Sequence, residues 1–172
     1  SSYCDDFAVL GAAGSVSKNA VTEVISWGNQ GWNSLVNAFT DCINLTGIGT
    51  TSLKTSTSGQ LTSLFQSCTS LTALDMTNWD LSLGARIQSF CKGCTNLAVV
   101  EKPTLGIKLV TNSQEAFSNV GTAVAGGCAF NLSGLNISTS EVINIYRFFI
   151  AARINGILSD FSNWVFNSSI DT

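Results

Sequence analysis

The chain has 172 residues, of which 45% are hydrophobic and only 11% are charged, less than half of the usual share of about 25%. Eight Lys and Arg residues against 11 Asp and Glu residues give a net charge of -3, so the chain lacks the basic stripe that nucleic-acid binding requires. It contains no His, which excludes His-based triads, His-ligated metals and imidazole acid–base catalysis.

The uncharged polar residues are 23 Ser, 17 Thr and 15 Asn, and they predict a neutral surface rich in hydroxyl and amide groups. The longest apolar stretch, Ile143 to Ile150, is interrupted by Asn144 and Arg147 and is too short to span a bilayer. We therefore expect no membrane insertion. The chain starts with Ser1 rather than Met, and we interpret it as a processed protein or a fragment of a longer one.

Residues 1–33 are predicted to form an N-terminal cap. Val21, Glu23, Ile25 and Trp27 alternate as in a strand, but this pattern places the charged Glu23 on the inward side. The match to a simple strand is therefore incomplete.

A motif recurs with a period of 26 residues from residue 39 onwards, and this repeat is the main signal in the sequence. Its copies are Phe39-x-x-Cys42-x-x-Leu45-x-x-Ile48, Phe65-x-x-Cys68-x-x-Leu71-x-x-Leu74 and Cys91-x-x-Cys94-x-x-Leu97-x-x-Val100. Phe90 lies beside the altered first position of the third copy, and Phe117 is one further step along the chain.

The pattern slips after Phe117, where Gly121 to Gly127 look like an insertion. Leu132-x-x-Leu135-x-Ile137 is interpreted as the next copy of Leu71-x-x-Leu74-x-Met76, which implies about nine inserted residues. A fifth, degenerate copy has two alternative registers. One aligns 160–164 with 75–79, and the other places Leu158 at the first leucine position.

Within one repeat, two-residue alternation places Leu74 and Met76 on one face of a strand, and Asp75 and Thr77 on the other. The Phe-x-x-Cys stretch suits a short helical turn, because positions three apart share a face. A single unit cannot bury its own apolar face. Stacked units can, so the repeat predicts a solenoid with parallel strands.

The pattern Ala-Phe-x-x-Cys-x-x-Leu-x-x-Leu-Asp-Met-Thr-Asn-Trp-Asp resembles the BspA-like leucine-rich repeats, a 26-residue bacterial surface repeat. The resemblance covers residues 22 to 105 well and the rest loosely. It implies an α/β leucine-rich-repeat solenoid with a parallel sheet, short helical turns on the other side and capped ends. It also implies surface recognition, since family members are typically surface-exposed adhesins and related repeats occur in phage virion proteins.

The expected organisation is an N-terminal cap at 1–33, a solenoid of about four rungs at 34–138 and a C-terminal cap at 139–172. Ser138 and Glu141 have the spacing of a capping box, so a helix is predicted from about 140 to 153. The polar stretch Ser52 to Gln60 has the composition of a linker, but the period running through it predicts that it stays packed.

The six Cys residues do not read as a disulfide framework. Cys42, Cys68 and Cys94 share one repeat position and are predicted to be buried thiols. Cys91 and Cys94 also have the spacing of a metal or redox pair, which the repeat makes the less favoured interpretation. Cys4 and Cys128 lie outside the repeat and are expected to be free or paired with each other.

Asp75 and Glu101 are one period apart and are expected to be neighbours on the exposed strand face. Two carboxylates about 5 Å apart have the spacing of a retaining glycosidase, and with Asp80 they could chelate Ca²⁺. The favoured interpretation is two solvated acids on a binding surface. Trp79 and Trp164, each preceded by Asn, are interpreted as covers of the core in preference to sugar-stacking platforms.

The sequence thus predicts a non-enzymatic recognition or adhesion module without cofactor or metal, located extracellularly, on a cell surface or on a virion surface. Its partner would be a host-cell or surface protein, a glycan or other virion subunits, and an oligomer is compatible with this. The alternatives are a structural virion part, such as a tail-fibre or capsid-decoration domain, and, less favoured, a glycosidase. The predicted contact residues are Gly47, Gly49, Ala73, Asp75, Thr77, Val99, Glu101, Gly134, Asn136 and Ser138.

Overall fold

The computed structural model describes residues 18–28, 31–105, 107–109, 113–131, 137–139, 146–155 and 164–165. These residues wind into a parallel-strand β-solenoid of about four turns with almost no helix. The solenoid and its parallel strands agree with the repeat, whereas the α/β class does not describe this part of the chain.

The described elements begin with a short 3-10 helix, Lys18–Ala20, and continue with strands only. In chain order the strands are β1 (Gly31–Ser34), β2 (Lys54–Gln60), β3 (Ala73–Asp75), β4 (Leu81–Arg86), β5 (Val99–Glu101), β6 (Ile107–Leu109), β7 (Cys128–Asn131), β8 (Ile137–Thr139), β9 (Ile154–Asn155) and β10 (Trp164–Val165).

The strands form two parallel sheets. The six-stranded sheet has the order β1-β2-β4-β6-β8-β10, and the four-stranded sheet has the order β3-β5-β7-β9. From β3 onwards, successive strands along the chain alternate between the four-stranded and the six-stranded sheet. Pairing of Ala73 with Val99 and of Gln60 with Arg86 reproduces the 26-residue step in both sheets. The polar stretch that ends at Gln60 is thus packed in the solenoid, as its repeat period predicts, but most of it is a central strand and not a linker.

Hydrogen-bonded turns, rather than helical turns, form the third side of the solenoid. The N–H of Asn37 donates to the carbonyl of Thr62 (3.0 Å), and the N–H of Ser63 donates to Gln88 (2.8 Å). Because these amide groups bond to the next rung, they cannot enter the i to i-4 ladder of an α-helix. Left-handed φ angles at Asn37, Ser63 and Ser67 also interrupt any helix. The predicted short helical turns are therefore wrong for these rungs.

Columns of equivalent side chains fill the space between the three sides. Leu45, Leu71 and Leu97 are completely buried and lie one period apart. Aromatic rings form a second column, in which Phe39 stacks on Phe65 with ring centroids 5.9 Å apart. Each rung thus covers the apolar groups of its neighbour, which is how a repeat that cannot fold alone is stabilised.

In the third rung, the ring of the aromatic column comes from the residue before the expected one. The N–H of Cys91 donates to Ala116, as that of Phe65 donates to Phe90, so Cys91 occupies the backbone position of a column phenylalanine. Phe90, one residue earlier, supplies the missing ring, with its centroid 5.6 Å from Phe65 and 6.1 Å from Phe117. A small thiol therefore lies where the repeat predicts a ring, and the column remains continuous.

The register after the insertion differs from the sequence interpretation. Val99 pairs with Ala129, 30 positions later, so the insertion adds four residues in this sheet and not nine. Phe130 is the next copy of Leu74 and Val100, whereas Ile137 pairs with Ile107 in the other sheet. The aligned leucines at 132 and 135 lie outside the described residues.

The N-terminal segment is part of the solenoid where it is described. Glu23 forms a parallel bridge with Gly47, and β1 pairs with β2. Val24 and Trp27 are buried while Glu23 and Ile25 are exposed, so the inward positions are three apart. With this spacing Glu23 is exposed, whereas a two-residue alternation would place its charge on the inward side.

The helix predicted from about 140 to 153 begins outside the described residues. Its later part, 146–151, is a hydrogen-bonded turn with left-handed φ angles at Arg147 and Ala151, followed by β9. The N–H of Phe117 donates to Phe148 (2.9 Å), so this turn stacks on the preceding rung in the same way as the earlier turns. The helix prediction is wrong here because stacking on the preceding rung replaces local helical bonds.

Ser113 occupies an inward position that belongs to Leu35, Leu61 and Ile87 in the preceding rungs. Its side chain is completely buried, and its hydroxyl group has no hydrogen-bond partner among the described residues. An unpaired buried hydroxyl costs about 1–3 kcal/mol.

We therefore expect Ser113→Ala to raise the free energy of unfolding by about 1 kcal/mol in urea denaturation. Ser82→Ala is the matched control, because the exposed hydroxyl of Ser82 donates to Asp80 (2.6 Å) and its removal should lower stability slightly. A loss of stability in Ser113→Ala as large as in the control would contradict the burial of an unpaired hydroxyl.

Candidate functional site

The outer side of the four-stranded sheet is the surface that carries most of the predicted contact residues, and we call it the four-strand face. Residues pair across it in one parallel register, so equivalent positions lie about 4.8 Å apart. One row contains the small residues Ala73, Val99 and Ala129. The parallel row contains Asp75, Glu101 and Asn131.

Asp75 is half-buried at the end of β3 and accepts two hydrogen bonds from one residue. Its Oδ1 atom accepts the backbone N–H of Thr77 (2.9 Å) and the Thr77 hydroxyl (2.6 Å). This local arrangement holds the turn that leaves the sheet. Thr77 therefore lies at the edge of the four-strand face, and its side chain is bound to Asp75.

Glu101 is half-buried beside Asp75 on the neighbouring strand. Its Oε2 atom accepts a hydrogen bond from the Nδ2 group of Asn131 on the next rung (2.6 Å). A glycosidase would need one carboxyl group that holds a proton near neutral pH, usually because it is buried. Neither acid is fully buried, and both side chains take part in local hydrogen bonds.

Two of the three predicted glycines, Gly47 and Gly49, lie beside this face for different reasons. Gly47 continues the row of small residues, and Glu23 packs over it with its Cγ 3.4 Å from where a Cβ would lie. Gly49 has a left-handed φ of 60°, and a Cβ there would be 2.6 Å from the Val24 carbonyl oxygen. Gly49 is thus required by the backbone.

Ser138 does not join this surface. The backbone of Ser138 pairs with Lys108 in the six-stranded sheet, because the insertion is shorter than the sequence interpretation assumed. Asn136 and Gly134 lie outside the described residues. Asn131 was not predicted as a contact residue. The four-residue shift in register that brings it beside Glu101 is visible in the structure and does not follow from the repeat.

Trp79 is a cover of the core, as favoured from the sequence. Its ring is 1% exposed and meets Trp27 edge to face, with centroids 5.5 Å apart. Nothing in this position is available to stack on a sugar. The backbone of Trp164 pairs with Ile137 in the six-stranded sheet. Ile137 pairs in turn with Ile107, and Ile107 pairs with Leu81. Trp164 is therefore in the row of Leu81 and not in the position of Trp79.

Five of the six cysteines are described, and all five are free and buried: Cys42, Cys68, Cys91, Cys94 and Cys128. The thiol of Cys68 donates to the carbonyl of Phe39, and that of Cys94 donates to Phe65, each at 3.0 Å. These bonds repeat from rung to rung, so Cys42, Cys68 and Cys94 form a column, as predicted, and we call it the thiol column. Cys4 lies outside the described residues.

Burial raises the pKa of four of these thiols, Cys42, Cys68, Cys91 and Cys128, because the thiolate loses its hydration. The pKa of Cys128 rises to about 12, and the pKa values of Cys68 and Cys91 are also raised, with desolvation as the largest cause in each case. Thiolates are the reactive form of cysteine, so a raised pKa and burial both slow the reactions of these four thiols while the solenoid is folded.

A raised thiol pKa predicts that stability falls at alkaline pH. The folded chain keeps its thiol protons above the ordinary thiol pKa of about 8.5, while the unfolded chain releases them. The stabilisation is complete below this pH and is lost as the pH rises towards the folded pKa values. Each thiol contributes a slope of up to about 1.4 kcal/mol per pH unit.

We expect Cys68→Val to reduce this alkaline slope of the free energy of unfolding, measured by urea denaturation between about pH 8 and 10. Val is a suitable replacement because Val120 occupies the same repeat position and is completely buried. An unchanged slope would show that the thiol of Cys68 is already able to ionise in the folded state.

The described residues contain neither a cluster of metal-ligand side chains nor a membrane-spanning helix. No group of three or more Cys, Asp or Glu side chains is arranged to hold a metal ion there. In the same part of the chain, no helix has the length and apolar character needed to cross a membrane.

Comparison of the chain with protein-family models, curated proteins and solved structures gives no match.

Proposed function

We propose that this protein is a non-enzymatic recognition module that binds a protein or glycan through the four-strand face, on the exterior of a cell or virion. The observation that carries the proposal is the flat register of small residues beside a row of polar side chains. Ala73, Val99 and Ala129 leave room for a partner to approach the backbone, and Glu101 and Asn131 offer hydrogen-bonding groups.

A role in recognition is also supported by the state of the two acids. Asp75 and Glu101 accept hydrogen bonds from Thr77 and Asn131 on the open side of a sheet, which suits ordered contact groups better than a catalytic pair. The resemblance to BspA-like leucine-rich repeats belongs to the same proposal. Its support is the 26-residue step between stacked rungs.

The proposal is tested by binding to a glycan array and to a panel of immobilised surface proteins. Ala129→Arg should weaken binding at least tenfold, because a long charged side chain would stand on the exposed row. Thr57→Arg, an exposed position in β2 of the other sheet, is the matched control and should bind normally. Equal binding by both variants would place the contact surface elsewhere.

The acids provide a second arm of the experiment. The double variant Asp75→Asn, Glu101→Gln should weaken binding moderately, and binding should change little between about 50 and 200 mM salt because the surface is nearly neutral. Hydrolysis of any arrayed glycan that disappears in the double variant would overturn the non-enzymatic assignment in favour of a glycosidase.

A structural virion part, such as a tail-fibre or capsid-decoration domain, is the second candidate function. One observation favours it: the five described cysteines are free and buried, which suits a protein assembled inside a cell. This candidate predicts that the four-strand face contacts another subunit, so Ala129→Arg would impair particle assembly rather than binding to arrayed glycans or surface proteins.

A further inference from the structure

The thiol column is too regular for its cysteines to pair within the folded solenoid. Equivalent positions on adjacent parallel rungs are about 4.8 Å apart at both Cα and Cβ. A disulfide requires a Cβ separation of about 3.5–4.5 Å, with side chains turned towards each other. In the column, Cys68 and Cys94 instead direct their thiols at the carbonyl groups of Phe39 and Phe65.

The reduced thiols are also part of the core. Cys68 and Cys94 are completely buried, and Cys91 and Cys128 beside them are equally inaccessible. A disulfide between thiols of different rungs, such as Cys68 and Cys94, would pull these rungs out of the register that the columns of Leu and Phe need. The folded state therefore requires reduced thiols at the positions that stack from rung to rung.

The unfolded chain has no such protection. Its thiols have an ordinary pKa of about 8.5, so a fraction is ionised and nucleophilic near neutral pH. A thiolate attacks a small disulfide such as oxidised glutathione, forms a mixed disulfide and releases one reduced glutathione. A second protein thiol then displaces the other glutathione, so two protein thiols are oxidised while one glutathione disulfide is reduced.

We propose that the chain reaches this fold only where thiols are kept reduced, and that a disulfide oxidant traps it before the rungs can stack. The trap acts on folding and not on the finished solenoid. This fits a protein that folds inside a cell before it is displayed, and does not fit one that folds after export into an oxidising space. The inference is independent of which partner the four-strand face binds.

The test begins with the folded protein in oxidised glutathione, followed by peptide mass mapping of each cysteine. The five described thiols should be modified at least about a hundredfold more slowly than in guanidinium-unfolded protein, because modification requires the rungs to open. Modification at the unfolded rate would overturn the proposal. Cys4 is mapped separately and does not enter this comparison.

The second part follows refolding by the near-ultraviolet circular dichroism of the buried tryptophans Trp27 and Trp79. Chains unfolded and diluted with dithiothreitol should regain the native spectrum. Chains unfolded with oxidised glutathione should regain less than about a tenth of it, until dithiothreitol is added. Full recovery of the oxidised chains would overturn the proposal.

The Cys4→Ser variant is the matched control, since it removes the one cysteine that lies outside the described residues. Trapping by oxidised glutathione should persist in this variant. If Cys4→Ser abolishes trapping, the column is not its cause and the proposal fails.

Discussion

Replacement of Leu71 by Ala is expected to lower the free energy of unfolding by about 2–5 kcal/mol, measured by urea denaturation. Leu71 is completely buried between Leu45 and Leu97 in the leucine column. The substitution removes apolar contacts with two neighbouring rungs and leaves a cavity that a regular stack closes only in part. Leu97→Ala should have an effect of the same size.

Thr77→Ala is the control for this prediction, because Thr77 is exposed and its side-chain hydroxyl donates to the neighbouring Asp75. Its removal should cost no more than about 1 kcal/mol. If Thr77→Ala unfolds the protein while Leu71→Ala is tolerated, the inward and outward faces of the solenoid are assigned the wrong way round.

Gly121→Ala should destabilise the protein by about 3 kcal/mol or more, since two costs combine at this position. Gly121 has a left-handed φ of 68°, which an alanine adopts only with strain. The new Cβ would also lie 2.6 Å from the Cys128 amide nitrogen and 2.8 Å from the Arg153 carbonyl oxygen. Both are backbone atoms of neighbouring segments of the same chain, so no side-chain movement relieves the clash.

Gly28→Ala separates the two costs. Gly28 has a similar φ of 72°, but a Cβ there would have no neighbour within 4 Å in the described part of the chain. Its substitution should cost about 1 kcal/mol, which is the backbone strain alone. Equal effects of Gly28→Ala and Gly121→Ala would mean that the rungs near the insertion are not packed as closely as the Gly121 contacts require.

The solenoid and much of its core could be predicted from the sequence because the period is strict up to Phe117. Leu71, Leu74 and Cys68 recur at equal spacing, and burial of equivalent side chains follows directly from stacking. Phe90 shows how such a pattern tolerates local change. The ring moves by one residue when Cys91 takes its position, and the column is still filled.

The turns and the later register could not be predicted in this way. Spacing of three is shared by a helix and by these turns, and only the inter-rung bonds of residues such as Asn37 and Ser63 distinguish them. The insertion after Gly121 has no internal pattern, so its length was inferred from chance similarity around Leu132. This error placed Ser138 on the wrong sheet and left out Asn131.

The strict repeat was sufficient to predict which of the proposed contact residues are neighbours. Ala73, Asp75, Val99 and Glu101 lie together because they are one period apart. The hydrogen bonds that hold the two acids were not visible in the sequence. They depend on the turn after β3 and on the position of Asn131, neither of which the repeat specifies.

The fold depends on rungs of 26 residues that stack in one register, and a duplicated rung tests this most directly. A second copy of residues 61–86 would be inserted between Arg86 and Ile87, and protected backbone amides would be counted by hydrogen–deuterium exchange mass spectrometry. The matched control is an insertion of residues 61–73 at the same place, which shifts every later column.

We expect the 26-residue insertion to fold as an additional rung, with protection as strong as in its neighbours, because the backbone of each rung pairs with the rungs beside it. The half-rung control should lose protection in the flanking strands. Exchange of the full-length insertion as rapidly as an open loop, with the original number of protected amides, would contradict the solenoid register.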